Sequence, residues 1–186
     1  MSRNKKWLRD GGQTKFTPEI RKLANQLKGS SDYERVFNIL RWTKSNLKLV
    51  ESWRWRAKYL RKRTAYEIIK SGKSSGCGDN AAVFVALARM NNIPARMVEC
   101  VDRDWLLGRC PKSISGHVFV DVCINECWRV VDPTIGNVSM SYNWPLGKEF
   151  IIYKKGIDSW DMNIKNYKDL EEKFGIFKKQ ISKSKR

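Results

Sequence analysis

The apolar positions of this chain change period once. Up to about residue 90 they recur three or four residues apart, as on a helix face; from 95 to 132 they alternate or run unbroken, as in strands. Thr17-Pro18-Glu19 supplies a capping hydroxyl, a proline at the first helical position and an acid in the first turn, which predicts a helix through about Leu27. Ser31-Asp32-Tyr33-Glu34 has the spacing of a capping box: the serine accepts from the Glu34 amide while Glu34 reaches back. Val36, Ile39, Leu40 and Thr43 then follow at helical spacing. Thr64-Ala65-Tyr66-Glu67 repeats the device and predicts a short helix that stops near Ser71-Gly72. The helix after Cys77 differs in kind. Residues 81–88 are apolar on every side, so this helix belongs in the middle of the domain. Asn91-Asn92 ends it, and Pro94 forbids its continuation.

Residues 95–101 read as a buried strand. In 117–124, Val118, Val120, Val122 and Ile124 share one face, with His117, Phe119, Asp121 and Cys123 on the other. Asn125-Glu126 fits a two-residue hairpin turn, and 128–132 returns as the partner strand. That turn pairs Ile124 with Cys127, and counting back sets His117 against Thr134. Asp132 is then diagonally adjacent to His117 on the same face, within reach of its imidazole. One further residue in the turn would put the two on opposite faces unless a bulge restored the phase.

Composition narrows the setting. The 186 residues support one sizeable core, so a single domain over 1–186 is expected, with its motifs in about 17–135. No stretch approaches the roughly 18 apolar residues of a membrane span, and MSRNKKWLRDGG is basic without a following apolar run; the cytoplasm is the expected compartment. The five cysteines do not resemble a secreted disulfide framework. Cys100, Cys110, Cys123 and Cys127 lack a paired C-x-x-C knuckle, so no metal and no other cofactor is expected.

Cys77 stands between Gly76 and Gly78 at the start of a helix, where a thiolate is stabilised, instead of inside an apolar run, where cysteine is an inert small hydrophobe. The chain's one histidine, His117, has no rival as a base, and Asp132 is placed to orient it. A thiol at a helix N-terminus, an imidazole and an orienting carboxylate are the parts of an acyl-transfer site. Gly76 and Gly78 would let a substrate carbonyl approach, and the Cys77 amide would donate to the developing oxyanion. Asp79 either tunes the site or serves the first turn of the helix.

The segments GCGDNAAVFVALARMNNIPARMV, GHVFVDV and WRVVDPT resemble, in order, motifs of the transglutaminase-like superfamily, the papain-type Cys-His-Asp enzymes. The resemblance implies an α+β fold with N-terminal helices and a central cysteine helix packed on an antiparallel sheet. It implies Cys77 as nucleophile, His117 as general base and acid, and Asp132 as orienting carboxylate. Relatives often recruit a second oxyanion donor from the segment before the cysteine, where Trp53 and Trp55 are candidates. Val118-Phe119-Val120-Asp121 departs from the common pattern after the histidine, which bears on substrate preference. The implied activity is acyl transfer through a thioester on protein or peptide amides. Resolution by water gives a peptidase, amidase or deamidase and is the first reading; resolution by a lysine amine gives a crosslinking transferase.

The charge of +18 keeps a different class of function open. WRWRAKYLRKR, residues 53–63, interleaves aromatics with Arg54, Arg56, Lys58, Arg61, Lys62 and Arg63, the pattern that single-stranded nucleic acid or an acidic partner would engage. The alternatives are a nucleic-acid-binding module on a degenerate scaffold, or simply a solvated basic face with a frayed basic tail at about 178–186. A helix is expected near 167–174, which either packs over the site or closes the domain.

Overall fold

The structure is a computed structural model and describes residues 4–109, 114–139 and 148–183. Helices α1 (Pro18–Gln26) and α2 (Asp32–Asn46) begin where their caps predict: Thr17 Oγ1 accepts from the Ile20 amide at 3.3 Å and Ser31 Oγ from the Glu34 amide at 3.2 Å. Glu34 reaches back one residue further than a capping box requires, taking the amide and hydroxyl of Ser30 at 2.7 and 2.6 Å. Strand β1 (Lys48–Leu49) follows, and then α3 (Trp53–Tyr59). The basic composition of α3 hides its helical character, because it has neither an apolar stripe nor an acid at the third position. Ser52 nevertheless caps it. In α4 (Ala65–Ser71) the reciprocal box is complete: Thr64 Oγ1 accepts from the Glu67 amide and Glu67 from the Thr64 amide. Gly72, at φ +63°, ends it in the left-handed conformation glycine favours. The short strand β2 (Lys73–Ser74), parallel to β1, then delivers the chain to α5 (Cys77–Met90).

Helix α5 is buried from Gly78 through Arg89 except for the half-buried Asn80, and packs against α1, α2 and α4 on one side and the main sheet on the other. The sheet comprises β3 (Ala95–Asp102), β4 (Gly116–Ile124), β5 (Cys127–Asp132), β6 (Asn137–Ser139) and β7 (Phe150–Gly156), in the order β6-β5-β4-β3-β7, antiparallel throughout. The hairpin register is the predicted one, with Ile124 opposite Cys127 and Val120 opposite Val131. Asn125 and Glu126 both have positive φ, +49° and +63°, which gives the turn the twist of its flanking strands. Val118, Val120, Val122 and Ile124 join the core beneath α5, while Val98, Cys100, Phe119 and Val130 form a second cluster on the opposite face. This α+β arrangement is the one the sequence resemblance implies.

Strands β6 and β7 flank the three predicted strands; β7 lies beside β3 although about fifty residues separate them in the chain. After the short α6 (Arg103–Leu106), the helix expected near 167–174 continues further, as α7 (Tyr167–Lys183). Phe174 of α7 packs with Val101, Trp105 and Leu106, and Lys178 donates to the Trp105 carbonyl at 2.6 Å. The basic tail is therefore not a frayed end over 178–183; residues 184–186 lie outside the described ones, as does Cys110. No helix among the described residues is long and apolar enough to cross a membrane.

Candidate active site

The segment leading into α5 is held by its own polar groups. Asp79, in the first turn, accepts from the amide and hydroxyl of Ser75 at 2.7 and 2.8 Å and from Arg63 Nη2 at 2.5 Å. Of the two readings of Asp79, these contacts carry the structural one. Ser74 Oγ bonds both the amide and the carbonyl of Gly76, and Arg56 Nε donates to the Ser75 carbonyl at 3.1 Å. Gly76 itself sits at φ +146°, a backbone conformation that side chains disfavour, so the turn that presents Cys77 needs glycine there.

On the sheet, His117 Nε2 lies 2.8 Å from Asp132 Oδ2. This is the diagonal approach the hairpin register predicts. The other carboxylate oxygen, Oδ1, accepts from the amides of Thr134 and Ile135 at 2.8 and 3.3 Å, so the strand end itself aims the carboxylate. Burial works to raise the Asp132 pKa, but the hydrogen bond and charge of His117 and those two amides hold it below the usual carboxylate range. An ionised Asp132 only accepts, so Nε2 donates to it and Nδ1 is the ring nitrogen left for another partner. The imidazole is also packed against Phe119 and Phe150, with ring centroids 4.7 and 5.7 Å away.

The half-buried Cys77 is the other side chain that interacts with this imidazole. Burial pushes the thiol up, yet a hydrogen-bonding interaction with His117, the charge of that ring and the charge of Arg61 outweigh it, and its pKa falls below the ordinary thiol value. Reciprocally, burial disfavours the charged imidazole, but Asp132 and Cys77 raise His117 to about 10. Both shifts favour the thiolate–imidazolium pair over the neutral thiol and imidazole.

The remaining site expectations fare differently. Gly78 does not open a path for substrate: a Cβ there would lie 1.7 Å from Nη1 of Arg61, so the missing side chain accommodates the guanidinium. Trp55 packs against Tyr59 and beneath Arg63, while Trp53 stands 59% exposed with its ring edge-on to Tyr167. No contact among the described residues ties either indole to Cys77. Of the six basic residues of the expected polyanion patch, Arg61 and Arg63 are interior, 3% and 8% exposed, and paired with Glu99 and Asp79. Only Arg54, Arg56, Lys58 and Lys62 remain available to solvent, because two of the six cations neutralise acids of the core.

Sequence reasoning missed the pairing of Arg61 with Glu99. Its signal lay in the strand: Glu99 shares its pleat face with core-facing Met97, and a buried acid requires a buried base. Also unforeseen is a cavity of about 250 Å³ beside the imidazole, lined by His117, Phe119, Val130, Asp132, Ile135 and Phe150 among others. Its walls are mostly apolar, with the His117–Asp132 pair at one side.

Residues 21–133 match the family model of the transglutaminase-like superfamily. A crystal structure of a protein from Cytophaga hutchinsonii, provisionally named a cysteine protease, superposes with a TM-score of 0.64 at 19% identity; the match covers 86% of this chain and 48% of that one. A provisionally named protease from Parabacteroides distasonis matches with a TM-score of 0.48 at 15% identity, over 74% of this chain and 25% of that one. The chain thus spans about half the length of the first of these proteins and a quarter of the second. No curated protein matches it.

Proposed function

The chain belongs to the transglutaminase-like superfamily, and from that premise we propose that it is a cysteine-dependent hydrolase of protein or peptide amides, with Cys77 as nucleophile, His117 as general acid and base, and Asp132 as the carboxylate that orients His117. The observation that carries this reading is the 2.8 Å contact of His117 Nε2 with Asp132, which leaves Nδ1 to the thiol. Family membership supports cysteine-dependent acyl transfer in general. Hydrolysis and the amide substrate are the finer part of the proposal.

In this mechanism the Cys77 thiolate attacks the amide carbonyl and forms a C–S bond, placing a negative charge on the carbonyl oxygen. The Cys77 amide, at the first position of α5, donates to that oxyanion, and the helix N-terminus favours the charge. As the C–N bond breaks, the imidazolium of His117 gives its Nδ1 proton to the departing amine. Neutral His117 then takes a proton from water, whose hydroxide attacks the thioester carbonyl. The C–S bond breaks, a carboxylic acid leaves, and sulfur and imidazolium return to their starting charges. The apolar cavity beside His117 receives an apolar side chain flanking the scissile amide, with Phe119, Val130, Ile135 and Phe150 as its walls.

The test is to incubate the protein with a peptide mixture containing glutamine, lysine and large apolar residues, and to follow the products by mass spectrometry. Hydrolysis adds one water per amide cleaved, in the backbone or in a glutamine side chain, and Cys77→Ala abolishes it. Lysine–glutamine linkage, with loss of ammonia, would assign the transferase outcome instead. No turnover, together with a Cys77 no more reactive than Cys127, would overturn the enzymatic reading.

A further inference from the structure

Arg61 is a costly residue to bury, and the cost needs an explanation. It is 3% exposed, yet among the described residues only Nη2 of its guanidinium has a hydrogen-bond partner, Glu99 Oε1 at 2.7 Å; Nε and Nη1 are buried without one, as is Oε2 of Glu99. Its backbone is strained as well, at φ +61°, in a region a long side chain rarely adopts. The indole N–H of Trp160 holds that conformation by donating to the Arg61 carbonyl at 2.6 Å. The guanidinium lies against Gly78, the residue directly after Cys77, close enough that any Cβ there would overlap Nη1. A pair kept for stability alone would have its remaining donors satisfied, and would not require a glycine in the first turn of the central helix.

We propose that Arg61 is a positioning residue: its guanidinium, seated on Gly78 and held by Glu99, is a fixed buried cation that keeps the sulfur of Cys77 anionic. The inference rests on the reading of Cys77 as nucleophile and goes beyond it, since the imidazole is then not the sole counter-charge. The groups facing Cys77 are His117 from β4, Arg61 from the turn after α3 and Glu99 from β3. On its own helix Asp79 is neutralised by Arg63, and Arg56 reaches the Ser75 carbonyl at the rim. Of the two charges contributed by the buried pair, that of Arg61 outweighs that of Glu99 at the sulfur. Nη1, the nitrogen against Gly78, is the end of the pair that touches the first turn of α5, while Nη2 holds Glu99.

The experiment is the pH dependence of iodoacetamide alkylation, read by mass spectrometry on the peptide that carries Cys77, in the intact chain and in Arg61→Met, Arg61→Lys and Gly78→Ala. Circular dichroism checks that each variant folds. Arg61→Met is expected to move the alkylation midpoint upward by about one pH unit, a tenfold loss of thiolate at fixed acidic pH. Arg61→Lys, which keeps the charge, restores most of it. Gly78→Ala shifts the midpoint in the same direction as Arg61→Met by displacing the guanidinium, and adds no further shift in the Arg61→Met background. If Arg61→Met does not fold, the Gly78→Ala and Arg61→Lys profiles decide. A folded Arg61→Met with an unshifted midpoint overturns the proposal, as does Arg61→Lys shifted as far as Arg61→Met, which would assign a packing role. In either case a depressed midpoint in the unmodified chain leaves Cys77 as nucleophile intact. A midpoint at the ordinary thiol value in the unmodified chain removes both.

Discussion

Replacing Asp132 by Asn keeps the shape of the side chain but removes the charge that His117 Nε2 meets at 2.8 Å. The imidazole then loses the partner that fixes which nitrogen faces the sulfur. Amide turnover should fall by about 10²–10⁴-fold, with folded stability little changed, in a steady-state assay on any cleaved peptide. The charges also set a pH window with two limbs. Cys77 is held below its ordinary value, so the thiolate persists as pH falls until that lowered pKa is crossed; His117 is raised to about 10, so the imidazolium is lost only as pH rises through that value. A rate profile for acylation should therefore have its acid limb, set by sulfur, below the ordinary thiol value and its alkaline limb, set by imidazole, near pH 10. A bell centred on an unshifted histidine would contradict this. In the same profile, Phe119→Ala should raise KM for substrates with a large apolar side chain more than it lowers kcat, because that side chain is a wall of the cavity and takes no part in proton transfer.

Among the elements, α4 is the one whose ends were written most plainly. Thr64 and Glu67 bond each other's backbone amides, and Gly72 stops the helix directly before the short strand that leads to Cys77. Thr64→Ala should cost about 1 kcal/mol, visible as a fall of a few degrees in the thermal midpoint. Phe84, fully buried in the middle of α5, should cost about 3–5 kcal/mol when cut to alanine, and chemical denaturation of the purified variant measures it. Caps, the turn after α5 and the Asn125-Glu126 hairpin were legible because each is a local device, decided by residues a few positions apart. That locality also made the approach of His117 to Asp132 readable, since a two-residue turn fixes every pairing above it. Helix α3 was not legible: none of its residues is buried and no apolar stripe marks it, and just after it Arg61 and Arg63 look like surface cations until Glu99 and Asp79 are placed beside them. Nor was β7, whose partner β3 lies far back in the chain and whose pairing depends on tertiary packing. The cavity beside His117 had no sequence signal either, because its walls come from β4, β5, β7 and the segment after Asp132.

At the scale of the molecule, the site depends on α5 and the sheet being held in one relative position, and the binding between them is polar as well as apolar. Asp158, fully buried, accepts from the amides of Gln13 and Thr14 and the hydroxyl of Thr14, and Arg89 of α5 reaches Thr14, the Ala95 carbonyl and the Ile157 carbonyl. These bonds fasten the N-terminal segment and the chain after β7 to the far end of the cysteine helix. His117 and Cys77 meet at its near end. The central claim is that this assembly holds an imidazolium against a thiolate, and the chain offers an unusually clean reporter, since His117 is its one histidine. An NMR pH titration of the His117 ring, in the unmodified protein and in Cys77→Ser, tests the claim most directly. The account predicts an imidazole that stays protonated through neutrality and titrates near pH 10 in the unmodified protein, and at a clearly lower pH once the sulfur is gone. A ring that titrates near its ordinary value of 6.5 in both proteins would contradict it.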